Sequence, residues 1–83
     1  MAELKTLELT IAHVDAPIFS GSILQVTVPG SEGEMTLLPD HAPLMSALKA
    51  GTITVKKTAG EVVTFEVVSG TLEVSQNHVT ILL

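Results

Sequence analysis

Apolar residues fall on every second position in short, regularly interrupted runs, and that period belongs to strands half-buried in a sheet. Leu7, Leu9 and Ile11 share one face of the first run. In Ile23-Leu24-Gln25-Val26-Thr27-Val28 the alternation puts Leu24, Val26 and Val28 on one side. Thr52-Ile53-Thr54-Val55-Lys56 turns Ile53 and Val55 inward, and Leu72, Val74, Val79, Ile81 and Leu83 continue the pattern. Turn residues separate the runs at Pro29-Gly30, Thr58-Ala59-Gly60, Ser69-Gly70 and Gln76-Asn77. Short strands with such punctuation predict an all-β, antiparallel sandwich or barrel. At 83 residues the chain is one domain, residues 1–83, with a thin core.

Two segments break the pattern. Val62-Val63-Thr64-Phe65-Glu66-Val67-Val68 is apolar on both faces at each end, as in a strand covered on both sides. One cover is the core; the other is a loop of this chain, the simpler reading, or another protein. Leu44-Met45-Ser46-Ala47-Leu48-Lys49-Ala50-Gly51 fits a short helical turn capped by Gly51 or a strand.

Gly30-Ser31-Glu32-Gly33-Glu34-Met35-Thr36-Leu37-Leu38-Pro39-Asp40-His41-Ala42-Pro43-Leu44 is the most specified stretch. Glycine opens backbone angles closed to other residues, and proline fixes φ and removes a donor. Specified loops carry contacts in small domains. Gly30-x-x-Gly33 lacks both the dinucleotide fingerprint and the lysine of a phosphate loop, so it reads as a turn with glycine at positive φ. Glu32, Glu34 and Asp40 crowd the stretch without a nucleophile beside them, which suits an acidic contact better than acid–base catalysis. His13, His41 and His78 have no metal-ligand spacing. Lys56-Lys57 ends a strand before Thr58-Ala59-Gly60 and is not set at a tight hairpin tip as a carrier lysine would be.

Composition narrows the class. With no cysteine, neither disulfide nor thiolate chemistry is available. A net charge of −5, four lysines and no arginine, and no Tyr or Trp argue against nucleic-acid binding and favour a basic partner. The chain is 46% hydrophobic with mean hydropathy +0.51. No apolar run is long enough to cross a membrane as a helix, and Met1-Ala2-Glu3-Leu4-Lys5 is unlike a signal peptide. Surplus apolar surface of this kind is expected to be covered by a partner.

Taken in order, the motifs resemble the epsilon subunit of the rotary proton-translocating ATP synthase. Phe19-Ser20-Gly21 is similar to the family's F-S-G and Gly30-Ser31-Glu32-Gly33-Glu34 to its G-S-E-G-E. Pro39-Asp40-His41-Ala42-Pro43-Leu44 resembles P-x-H-A-P-L, Lys49-Ala50-Gly51 resembles K-x-G, and Ser69-Gly70 with Leu72-Glu73-Val74 and Val79-Thr80-Ile81-Leu82 resembles the closing segment. Thr71 stands where the family often has a second glycine.

The resemblance implies a flattened antiparallel β-sandwich of about ten short strands at the foot of the central stalk. It implies a non-catalytic rotor subunit that contacts the gamma subunit and the membrane c-ring and helps couple proton translocation to ATP synthesis. Carried over by motif position, the c-ring face comprises Ser31, Glu32, Glu34, Asp40, His41 and Pro43. The gamma face comprises His13, His41, Ala42, Ser69 and Glu73. No cofactor and no metal are expected. The family's C-terminal helical hairpin is expected to be absent, so neither its inhibition of hydrolysis nor ATP binding is assigned to these residues. The expected location is the cytoplasmic face of a bacterial inner membrane, or a plastid thylakoid, with membrane contact only through the complex. A biotinyl- or lipoyl-like carrier domain modified at Lys56 or Lys57 is the alternative, and a small metal enzyme using the three histidines is a third reading.

Overall fold

The computed structural model describes residues 5–14 and 16–83. Met1–Leu4, most of the segment contrasted with a signal peptide, lie outside the described residues. Among the described residues eight strands follow one another: β1 (Leu7–His13), β2 (Ala16–Gly30), β3 (Gly33–Leu37), β4 (Leu44–Leu48), β5 (Gly51–Lys57), β6 (Val62–Val67), β7 (Gly70–Ser75) and β8 (His78–Leu82). The all-β expectation holds, with eight strands where about ten were expected.

The count is lower partly because β2 runs unbroken for 15 residues. Its first half pairs with β1, and its second half lies between β3 and β5. Two register shifts let it bend. Against β1, Ile11 pairs with Phe19 and Ala12 with Pro17, leaving Ile18 as the extra residue. Against β5, the shift falls between Ile23 and Gln25, at Leu24. A bulge bends its strand and raises the local twist without ending it. The second bulge also corrects one predicted face. Ile23, not Leu24, enters the core with Val26 and Val28, because the extra residue shifts the alternation by one. Pro29 and Gly30, read as turn residues, are buried inside β2, and the turn is Ser31–Glu32.

Strand order is β1-β8-β7-β4-β2-β5-β6, with β3 on β2, and a further β1–β2 pairing closes a ring. All pairs are antiparallel except β1 with β8. The antiparallel sandwich expectation holds, and this parallel pair is the one departure from it among the described residues. It arises because the chain returns from the β7–β8 hairpin to close the ring beside β1, and Leu83 N–H extends it by donating to Ala12 O at 2.9 Å.

The core is aliphatic, with Leu7, Leu9, Ile11, Ile53, Val55, Leu72, Val74, Val79 and Ile81 buried as their alternation predicts. Among the described residues no polar side chain is buried. Phe19 and Phe65 meet edge to face at 5.9 Å and close one rim, with the Lys57 ammonium 5.8 Å from the Phe19 ring. Leu83 is only half-buried.

β6 corrects the doubly covered reading. It is an edge strand paired only with β5. Val63, Phe65 and Val67 face inward, while Val62 and Val68 are 56% and 86% exposed. Its end valines extend the strand's apolar character into solvent, where no loop of the described chain covers them. The open alternative at Leu44 resolves to strand. β4 pairs along its length with β7, and Gly51 begins β5 rather than capping a helix.

Candidate functional site

The residues singled out in the sequence fall into three places. The first is the β2–β3 hairpin. Gly30 pairs with Gly33 across the two-residue turn Ser31–Glu32. Gly33 has φ +138°, a conformation that side chains rarely adopt, and a Cβ on Gly30 would lie 2.7 Å from Gly33 O. The turn is tethered to β4, where Ser31 N–H donates to Ala47 O at 2.9 Å. Glu32 and Glu34 project into solvent beside a shallow hollow of about 130 Å³, which Met35 and Ser46 also line. Among the described residues the ion pairs are Lys5–Asp40 and Lys57–Glu61, so neither hairpin carboxylate is neutralised within the described chain. The hairpin therefore presents two free negative charges over an apolar floor.

The second place is the loop between β3 and β4. Asp40 sits in the left-handed region at φ +65°, which Asp tolerates better than most residues. Its N–H donates to Asn77 Oδ1 at 2.8 Å, and His41 N–H donates to Leu38 O at 3.2 Å. The His41 ring turns back on its own loop, with Nδ1 2.7 Å from Ala42 O. A carbonyl can only accept, so Nδ1 carries the proton in this contact. Ala42 and Pro43 are exposed.

The third place lies where β1 ends and β6 turns into β7. His13 and Ser69, far apart in sequence, line one hollow of about 260 Å³ with Glu66, Val67, Val68 and Leu83. Thr52 Oγ1 donates to Glu66 at 2.9 Å. Glu73 stands on the outward face of β7, between Met45 of β4 and Thr80 of β8. Met45 beside it is 79% exposed, an apolar side chain whose exposure the alternation of β4 did not flag.

The strand register sets how these places relate. Gly30 pairs with Leu48 at the end of β4, and the Asp40–Pro43 loop enters β4 at Leu44. Ser31, Glu32 and Glu34 are thus held at one end of β4, and Asp40, His41 and Pro43 at the other, about 13 Å away at strand spacing. The five residues of the predicted gamma face, His41 among them, follow β7. His13 and Ser69 lie at its start, Glu73 lies within it, and His41 and Ala42 lie beside the turn that follows it. His13, His41 and His78 occupy separate places, and among the described residues no cluster of His, Asp or Glu could hold a metal. Lys56 is exposed and Lys57 half-buried at the end of β5, short of the hairpin tip.

Residues 6–83 match the family described as ATP synthase, Delta/Epsilon chain, beta-sandwich domain. The chain belongs to this family. Two solved structures share the fold of this delta/epsilon domain. One is a chain of the Euglena gracilis mitochondrial ATP synthase, solved as OSCP/F1/c-ring in rotational state 1. It is similar at TM-score 0.88 and 24% identity, over 93% of this chain and 49% of that one. The other belongs to the central stalk and c-ring of the Tetrahymena thermophila mitochondrial ATP synthase, at TM-score 0.76 and 17% identity, over 98% of this chain and 65% of that one. The delta/epsilon domain described here thus spans 49% of the first of those chains and 65% of the second.

One residue of consequence escaped the sequence reading. Asn77 was legible only as a turn residue, yet its side chain bridges Asp40 and Thr6. Asn in the second turn position, where glycine would be easier, was the available signal.

Proposed function

We propose that this chain is a non-catalytic central-stalk subunit of an ATP synthase, linking the gamma subunit to the c-ring and helping to couple proton translocation to ATP synthesis. Membership of the delta/epsilon family over residues 6–83 carries this reading. The exposed chemistry supports it. A hairpin with two unneutralised carboxylates suits the basic groups of a ring loop, and the exposed apolar side chains of Met45, Val62 and Val68 suit a protein surface.

In this reading Ser31, Glu32 and Glu34, with Asp40, His41 and Pro43 further along, meet the c-ring. Rim ion pairs of this kind are weak, about 0–1 kcal/mol each, so Glu34 and its neighbours set register more than affinity. His13, His41, Ala42, Ser69 and Glu73 meet gamma, where apolar burial supplies most of the binding strength. The subunit sits peripherally on the cytoplasmic face of a bacterial inner membrane, or on the corresponding face of a plastid thylakoid, and touches the membrane only through the complex.

The test is co-elution of the full chain with purified gamma on size exclusion, with a longer epsilon subunit as control. Stoichiometric co-elution is the expected result. Failure of this chain alongside success of the control would remove the linking role from these residues.

A further inference from the structure

Among the described residues three non-glycine residues have left-handed backbones, and all three meet at one junction: Gln76 (φ +51°), Asn77 (φ +62°) and Asp40 (φ +65°). Gln76 and Asn77 form the two-residue turn between Ser75 and His78. Positive φ at both positions marks a type I′ turn, which normally favours glycine second. Strain at such positions persists only where surrounding contacts enforce it, and it gathers at functional loops.

The Asn77 side chain supplies those contacts. Its Oδ1 accepts the Asp40 N–H at 2.8 Å, and its Nδ2 donates to Thr6 O at 2.7 Å. Its backbone O accepts the Glu8 N–H at 3.0 Å. The side-chain amide has one usable orientation. Rotated by half a turn, it would set NH₂ against the Asp40 N–H and its oxygen against Thr6 O. Apart from this anchor, the loop has two local bonds, from His41 N–H to Leu38 O and from His41 Nδ1 to Ala42 O, and an exposed Lys5–Asp40 pair at 3.5 Å, and exposed pairs hold little.

We infer that Asn77 is the positioning residue of the Asp40–Pro43 loop: its side-chain amide fixes Asp40, and through it the geometry in which His41 and Ala42 meet a partner protein. The inference rests on the proposed reading of that loop as a partner contact. It explains why the turn carries Asn where glycine would cost less.

The test replaces Asn77 in the full chain and follows amide hydrogen exchange, thermal unfolding and gamma binding together. Asn77→Gly keeps the left-handed turn and deletes the amide. It should leave a cooperative β-sheet unfolding transition and speed Asp40 exchange about tenfold or more. It should weaken gamma binding about two- to tenfold as the competent loop population falls. Gln76→Gly eases the same left-handed turn without touching the Asn77 amide and should hold exchange and binding within about twofold of the parent. Equal losses in Gln76→Gly would place the effect on the turn and overturn the assignment. Unchanged Asp40 exchange in Asn77→Gly would overturn it outright. Faster exchange with unchanged binding, while His41→Ala still weakens binding, would overturn positioning and leave the contact reading standing. If His41→Ala is also silent, the contact reading fails and the inference fails with it.

Discussion

Replacing Gly70 by alanine should open the seam between β7 and β8. A Cβ built at Gly70 lies 2.5 Å from Leu82 O, 3.0 Å from Leu83 Cδ2 and 3.5 Å from Leu82 C. The Leu83 methyl can rotate away, but the Leu82 carbonyl belongs to the ladder itself, because Leu82 pairs with Thr71, the residue after Gly70. Relieving 2.5 Å to an ordinary 3.4 Å contact needs a local separation of about 0.9 Å. A 2.9 Å bond stretched by that much is no longer a hydrogen bond. One or two lost ladder bonds at about 1 kcal/mol each, added to an overpacking cost of about 1 kcal/mol or more, give about 2–4 kcal/mol. A domain of this size holds about 4–12 kcal/mol in total, so its melting temperature should fall by about 10–30 °C. Urea and thermal unfolding followed by circular dichroism measure this directly. Gly21→Ala is the control. Its nearest neighbour would be Phe19 Cζ at 4.0 Å, and it should stay within about 1 kcal/mol of the parent. Adding Leu83→Ala to Gly70→Ala should not rescue stability, because the blocking atom is backbone. Rescue by Leu83→Ala, or a Gly70→Ala midpoint within a few degrees of the parent, would refute the reasoning.

Leu9 is fully buried on β1 beside Val79, and Leu9→Ala should cost about 2.5–5 kcal/mol in chemical denaturation, with an unchanged midpoint refuting its core placement. Glu34→Lys should leave the unfolding midpoint within about 0.5 kcal/mol, because the side chain is exposed. It should weaken c-ring binding by a margin that shrinks as salt is raised, and ring binding that ignores the substitution would remove its electrostatic role.

How much of this was legible in the sequence depends on whether a feature is local. Alternation in Leu7–Ile11 and Ile53–Val55 fixes which side chains are buried, because period two needs only the strand itself. Ile23-Leu24-Gln25 offers an apolar residue at either parity, and only pairing with β5 decides that Leu24 is the bulged one. The same holds for β6. Val62 and Val68 look like residues of a doubly covered strand until the topology makes that strand an edge. The parallel β1–β8 pair joins residues about seventy positions apart, and no local signal encodes it. The candidate site divides in the same way. The hairpin at Gly30–Gly33 could be read from its glycines, whereas the meeting of His13 with Ser69, and of Asp40 with Asn77, is made by the fold alone.

The separation of the two loops across β4 bears on how the proposed docking would respond to paired substitutions. Glu34 sits on the hairpin whose Gly30 pairs with Leu48, and His41 sits three residues before Leu44. Their attachment points are about 13 Å apart on a strand paired throughout with β7. Sites farther apart than about 7–10 Å that share no partner add their effects within about 0.5 kcal/mol. Ring binding of Glu34→Lys, His41→Ala and the pair together should therefore close to additivity, with each loop engaging independently. A larger coupling energy would mean that one ring element spans both loops, or that β4 shifts as a unit when either end is disturbed. The second cause can be told from the first, because a shift of β4 would also move its single bridge to β2 at Gly30↔Leu48. Amide exchange at Ser31 and Lys49, which donate to Ala47 O and Pro29 O, reports that bridge. Coupling with both amides unchanged points to a shared ring contact, and coupling with both accelerated points to movement of the strand.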